Sequence, residues 1–214
     1  MSRYKTKEEE EDRYETNEKS IIRENWNTEL FNLSTKLNKP LSLLVLAHNS
    51  FSDVLPLLSF SHIQVVENIP DSYKKKRKWL KYNHEYADKI KLAGPMDVYR
   101  YLTSIEGQQF DAINLDYCSH YNPKVVHALW TILSKKLLNP QGLLFITLAC
   151  HTSATQRPEL ENKLLVRSYE RMLQQIDIDL NLFGYKAENL SGFPVKYVNE
   201  TCPMLSLGFT LSKL

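Results

Sequence analysis

Glycine is scarce in this chain. It has six, and none lies between Met1 and Ala93. The turn after the first buried run, Ala47-His48-Asn49-Ser50-Phe51-Ser52, therefore lacks the small residues with which a nucleotide site ordinarily lets backbone approach its ligand. Cysteine is sparse as well: Cys118, Cys150 and Cys202. An odd, low count excludes a disulfide framework and suits a reducing compartment. Tight ligand pairs of the His-x-x-x-His or Cys-x-x-Cys kind are missing, and no metal site is expected. The formal charge is only +2, so no global field points to nucleic acid. No apolar run reaches the roughly 18 residues of a membrane span, and no secretory leader stands at the start. The expectation is a soluble, cytoplasmic protein without a membrane partner.

What is present is one domain's worth of alternating elements. The 214 residues can bury a full core. Residues 1–19 are polar, include the acidic run Glu8 to Asp12, and read as a disordered arm. Residues 20–214 read as a single domain. Ser20 is placed to cap a helix running to about Leu37, with Ile22, Trp26, Leu30, Leu33 and Leu37 on one stripe. Leu41 to Ala47 is the first buried strand and Ile63 to Glu67 the second. Asp71 is expected to cap a helix that carries Lys74, Lys75, Lys76, Arg77, Lys78 and Lys81, with Tyr73, Trp79 and Tyr82 among them. That run is either a solvated face or a phosphate-facing patch.

A short third strand, Ile90 to Leu92, precedes Gly94-Pro95-Met96-Asp97. Ala112 to Asp116 is a fourth, mostly apolar strand ending on a carboxylate, followed by Tyr117-Cys118-Ser119-His120. Val126, Leu129, Trp130, Leu133 and Leu137 are spaced as a helix packing on the sheet. Asn139-Pro140-Gln141-Gly142 reads as a turn before a fifth strand, Leu143 to Leu148. A long helix starts at Pro158, and Phe193 to Val198 with Met204 to Leu211 form a terminal antiparallel pair. Strand–helix alternation of this kind predicts an α/β fold with three layers: a mainly parallel, seven-stranded sheet with an antiparallel C-terminal strand. Strands Leu41 to Ala47 and Ala112 to Asp116 should be central neighbours.

Ligands in such sheets bind at the carboxyl ends of strands, which singles out Glu67 and Asp116. Asp116 is read either as a substrate-positioning carboxylate or as a cap for the helix opening at Pro123. Cys118 and Cys150 follow adjacent strands, and buried, inert thiols are the commoner case.

With these elements placed, the chain from about Leu41 to Leu214 resembles a class I S-adenosylmethionine-dependent methyltransferase of Rossmann-like fold. Four features carry the resemblance: Glu67 ending the second strand, Asp97 after the third, Phe-Asp-Ala-Ile-Asn-Leu-Asp-Tyr-Cys-Ser at the fourth, and Leu-Asn-Pro-Gln-Gly-Leu-Leu-Phe-Ile-Thr at the fifth. The resemblance implies S-adenosyl-L-methionine as cofactor. Glu67 would bind its ribose, Met96 and Asp97 its adenine, and His48 with Asn49 its amino-acid end. Asp116-Tyr117-Cys118-Ser119 is a degenerate relative of the motif in nucleic-acid amino-methyltransferases such as tRNA guanine dimethyltransferases. It implies that Asp116 accepts a hydrogen bond from the target amino group while Tyr117 stacks on the base. Both motif prolines are absent, as is the Gly-x-Gly of the first turn.

Three functions follow. One is methyl transfer to a nucleic-acid base nitrogen, with Lys74, Lys75 and Lys78 as phosphate contacts. The second is a catalytically inactive methyltransferase-like module that binds nucleic acid or a protein partner. The third is a methyltransferase for a small molecule or a protein.

Overall fold

The computed structural model describes residues 17–46, 51, 54–117, 119, 121–150, 158–199 and 202–214. Helix α1 spans Asn17–Leu37, so the described chain is already helical before Ser20. Strand β1, Leu41–Val45, follows. A 3-10 turn over Leu55–Ser59 leads into β2, Ser61–Val66. Helix α2 is Pro70–Tyr82, β3 is Ile90–Ala93 and α3 is Val98–Ser104. Then come β4, Phe110–Asp116, and α4, Pro123–Ser134. Strand β5 is Leu138–Ala149 and helix α5 is Pro158–Leu182. Three strands close the sheet: β6, Tyr185–Asn189; β7, Val195–Asn199; and β8, Cys202–Lys213.

The sheet runs β3-β2-β1-β4-β5-β8-β6, with β7 also paired to β8. Strands β1 to β5 are mutually parallel, and β8 is antiparallel to β5, β6 and β7. The expected seven positions across the sheet are therefore filled by eight strands, because β6 and β7 share one flank of β8. The extra strand is β6. Its Lys186, Glu188 and Asn189 are exposed, and a polar edge strand carries little periodic signal. The central pairing is as expected: Leu43, Leu44 and Val45 lie opposite Ala112, Ile113 and Asn114.

The two faces of the sheet follow the two-residue period of its strands. On one face Leu41, Leu43, Val45, Ile63, Val65, Ala112, Leu143 and Phe145 pack with Trp26, Leu30 and Leu33 of α1. On the other, Leu44, Ile113, Leu115, Leu144, Ile146 and Leu148 pack with α3, α4 and α5. The stripe of α1 is the one its spacing predicts. That of α4 is rotated: Val125, Ala128, Leu129, Ile132 and Leu133 are buried, and Trp130 is 38% exposed. Trp130 stays on the outer flank because its Nε1 donates to Asp179 Oδ1 of α5 at 3.2 Å. Asp179 also accepts from the Tyr121 hydroxyl, which ties the loop after β4 to α5.

Two caps also differ from expectation. Helix α2 starts at Pro70 with no side-chain cap, so Asp71 lies in its first turn rather than capping it. Helix α4 is capped by Asn122, whose side-chain oxygen accepts from the Lys124 and Val125 amides. The four residues 139–142 lie within β5, where Gln141 takes φ 70° and the register against β4 shifts. No helix among the described residues is long and apolar enough to cross a membrane.

Candidate functional site

The strand order reverses direction between β1 and β4. At such a switch point the connecting loops part and leave a crevice at the carboxyl ends. Glu67, Gly94 to Asp97, Asp116 and Tyr117 all follow the carboxyl ends of β2, β3 and β4, so the fold gathers them along one edge. His48 and Asn49, on the turn after β1, lie outside the described residues, as do Cys118 and His120.

Glu67 is 5% exposed and heavily bonded. Its Oε1 accepts from the Ile69 amide at 2.8 Å, and its Oε2 accepts from the Ser72 hydroxyl at 2.7 Å. The Lys76 ammonium forms an ion pair with the same Oε2, and Lys76 is itself only 2% exposed. Burial would raise the Glu67 carboxyl above its ordinary value. Hydrogen bonds from Lys76, Ser72 and the Ile69 amide, with the Lys76 charge, outweigh that and hold it lower. A carboxylate offers about four acceptor positions, and three of them are taken by donors among the described residues.

The loop after β3 is clamped onto this residue. The Met96 amide donates to Glu67 O at 3.0 Å, and the Glu67 amide donates to Ala93 O at 3.1 Å. Gly94 makes the clamp possible. Its φ is +137°, and a Cβ there would lie 2.3 Å from Glu67 O. Glycine is thus used for close approach at the third strand tip rather than the first.

Asp97 caps α3, its Oδ1 accepting from the Tyr99 amide at 2.8 Å. Its other oxygen is 4.0 Å from Lys124 Nζ. Met96 is partly buried against the core. Asp116 sits opposite Thr147 at the tip of β4 and is partly exposed. Asp111 stands near the other end of the same strand. Asp111 is buried and accepts from Lys39 Nζ, the Ser42 amide and Asn139 Nδ2, all within 2.9 Å, as a structural pin.

Tyr117 is held by its amide, which donates to Thr147 O at 3.1 Å, and its ring packs against the core. Its hydroxyl is buried without a hydrogen-bond partner among the described residues. Burial, then the charge of Asp97, drive the phenol well above its ordinary range.

Cys150 at the end of β5 is buried, and its thiol is pushed up to about 12 by burial and by Cys202, against a smaller opposing effect of Lys196. A thiol so placed is almost wholly protonated near neutrality, the opposite of an activated nucleophile. No cluster of metal-ligating side chains occurs among the described residues. In α2, Lys74, Lys75, Arg77, Lys78 and Lys81 are exposed, and Lys76 alone turns inward to Glu67.

Three groups escaped the sequence reading: Lys76 as the partner of Glu67, the Gly94 clamp, and the Tyr121–Asp179–Trp130 link. Lys76 was detectable in principle. In the register that points Ser72 inward, residue 76 falls one turn later on the same face.

No protein-family model matches the sequence, and no curated protein matches it. Solved structures do share its fold. The N-methyltransferase NodS from Bradyrhizobium japonicum, in complex with S-adenosyl-L-homocysteine, superposes with a TM-score of 0.53 at 15% identity, covering 89% of this chain and 87% of that one. TYW2 from M. jannaschii, in complex with AdoMet, gives 0.52 at 15% identity, with coverage of 87% and 75%. Trm5b from Pyrococcus abyssi gives 0.55 at 16% identity, covering 86% of this chain but 48% of that chain. The architecture is therefore the Rossmann-like fold of class I methyltransferases.

Proposed function

We propose that a chain built on this methyltransferase fold binds S-adenosyl-L-methionine and transfers its methyl group to a nitrogen of a nucleic-acid base. The observation that carries the reading is the convergence of Glu67, Asp97 and Asp116 at consecutive strand tips beside the switch point. NodS and TYW2, whose structures hold S-adenosyl-L-homocysteine and AdoMet, share that fold.

The residues present fit the cofactor. Glu67, with three of about four acceptor positions taken among the described residues, is proposed for a ribose hydroxyl. Gly94 brings the loop bearing Met96 and Asp97 against Glu67, and Asp97 Oδ2, whose ion pair with the exposed Lys124 Nζ is 4.0 Å long, is proposed for an exocyclic amine. His48 and Asn49 are proposed for the amino-acid end. The bound cofactor would supply an electrophilic methyl group. Asp116 would accept a hydrogen bond from the target N–H and so orient its lone pair, work that positioning alone can do. The exposed cations of α2, Lys74, Lys75 and Lys78 among them, would meet phosphates.

A second reading, a catalytically inactive module, is favoured by one observation. Glu67 already has a buried internal counter-ion in Lys76, so its charge is balanced without a ligand.

Titration calorimetry with S-adenosylhomocysteine separates the two. Micromolar binding by the wild type supports the first reading, and no binding supports the second. In a binding-competent protein, Asp116→Ala should lower methyl transfer at least about a hundredfold, the scale of a lost proton-handling group, and leave cofactor affinity nearly unchanged. Equal loss of both would refute the role given to Asp116.

A further inference from the structure

Four rings touch in sequence across the outside of one helical layer. Tyr99 of α3 meets His127 of α4 with centroids 5.6 Å apart, and His127 meets Trp130 at 6.3 Å. Trp130 then meets Phe183, the residue after α5, at 6.0 Å. Neighbouring rings are tilted by 41° to 56°, so none lies flat on the next. Tyr99 and Trp130 are each 38% exposed, and His127 is exposed as well. Single exposed aromatics are ordinary, but a continuous row over three elements is not. Trp130 is also pinned: its Nε1 donates to the buried Asp179 at 3.2 Å. A ring fixed by its polar edge loses little freedom when something packs on its face.

The surroundings of the row narrow what packs there. Helices α3 and α4 contain no aspartate or glutamate, and they carry the exposed cations Arg100 and Lys124. Their exposed positions hold rings, cations, hydroxyls and one proline, with no aliphatic side chain. In this layer the large exposed aliphatics among the described residues, Ile178 and Leu182, belong to α5. Flat π faces beside positive charge match bases and phosphates. The row also starts at the right edge of the sheet. Tyr99 follows Asp97 by two residues, and Lys124 lies in the first turn of the helix that follows β4 and Asp116.

We infer that Tyr99, His127 and Trp130 form a stacking track for a single-stranded nucleic acid, with Arg100 and Lys124 meeting its phosphates. The inference rests on the nucleic-acid reading proposed above and gives that substrate a path to the cleft. Stacking is tolerant of sequence, so the track holds a strand without choosing among bases.

The test is fluorescence anisotropy of a labelled, short oligouridylate with the full chain over a series of salt concentrations. Titrations run at about pH 8, where imidazoles are neutral. Tyr99→Leu combined with His127→Leu removes two π faces and should weaken binding at least about tenfold. Its log–log salt slope should match that of wild type, because no phosphate contact is lost. Tyr99→Phe combined with His127→Phe keeps both faces and should bind within about twofold of wild type. Arg100→Gln combined with Lys124→Gln should lower the slope by about 1.4. Wild-type affinity in the leucine pair, or a loss in the phenylalanine pair as large as in the leucine pair, overturns the track and leaves the nucleic-acid reading to α2. Wild type that binds S-adenosylhomocysteine but no RNA overturns the track and the nucleic-acid substrate together, and leaves the row as a docking face for a protein. RNA binding without S-adenosylhomocysteine binding overturns the cofactor reading alone.

Discussion

Lys76 and Glu67 form a buried ion pair between helix α2 and the end of β2, with Ser72 bonded to both partners. Breaking it from one side leaves a buried charge without its counter-ion. Lys76→Met should therefore destabilise by about 3–5 kcal/mol, whereas adding Glu67→Gln should restore much of the loss. Urea unfolding of the two single variants and the double variant measures the coupling. Additive losses would show that the pair is not a unit.

The same pair sets an acid limit. The Glu67 carboxyl is held below its ordinary value in the folded chain, so the unfolded chain binds its proton first as pH falls. The stability it contributes is complete above the unfolded value near 4.5 and is lost as pH drops through the lower folded one. Unfolding midpoints measured from pH 7 down to pH 3 should fall less steeply for Glu67→Gln than for wild type below about pH 4.5. Parallel curves would contradict this.

Gly94→Ala should be among the costlier single-methyl changes. The new Cβ would meet Glu67 O, which is backbone and cannot swing away, and the residue's φ of +137° strains any side chain. A loss of about 1–3 kcal/mol is expected, with weaker S-adenosylhomocysteine binding as the loop bearing Met96 and Asp97 lifts from Glu67. Calorimetry and thermal unfolding on one sample check both parts.

Cys150 should resist alkylation by iodoacetamide at pH 8 in the native protein and react once the chain is unfolded. Its thiol, pushed up to about 12 by burial and by Cys202, holds almost no thiolate at that pH. Peptide mass spectrometry before and after denaturation reads the result. Rapid native labelling would show an accessible thiolate and contradict the assignment of Cys150 to packing.

On the nucleic-acid reading proposed above, replacing Lys74, Lys75 and Lys78 with glutamine should weaken binding to a single-stranded RNA and flatten its salt dependence. Three lost phosphate contacts lower the log–log slope by about 2. All three side chains are exposed, so folding should be unaffected. An unchanged slope would mark the run as a solvated face.

Sequence periodicity carries the sheet's parallel half well, because β1 and β4 are buried on both faces and read as short apolar runs, and β2, which leaves His62 exposed, ends in the buried pair Val65 and Val66. It carries Trp26, Leu30 and Leu33 equally well. It fails where a polar group decides the outcome. Trp130 has the spacing of a core residue, but its indole N–H finds Asp179 from the outer flank of α4. Lys76 sits in a basic run and reads as solvated, but its ammonium has a buried carboxylate within reach. Strand β6 was missed because edge strands need only one apolar side. Acids at strand tips were legible from the hydrophobic pattern alone. The Tyr117 hydroxyl, buried without a partner among the described residues, was not, since sequence does not show what an oxygen fails to touch.

Strand β8 has a consequence for how the chain assembles. Among the described residues, strands β6 and β7 find their sheet partner only in β8, and β8 alone covers the outer edge of β5. A ribosome finishes β5, β6 and β7 before it makes β8. During that interval β5 carries an open edge of ladder groups in a run of apolar residues, Leu143 to Leu148. Such an edge pairs readily with the same edge of another nascent chain. The last long strand is thus a seal, and chains interrupted before residue 202 should accumulate as aggregates rather than as a smaller folded domain.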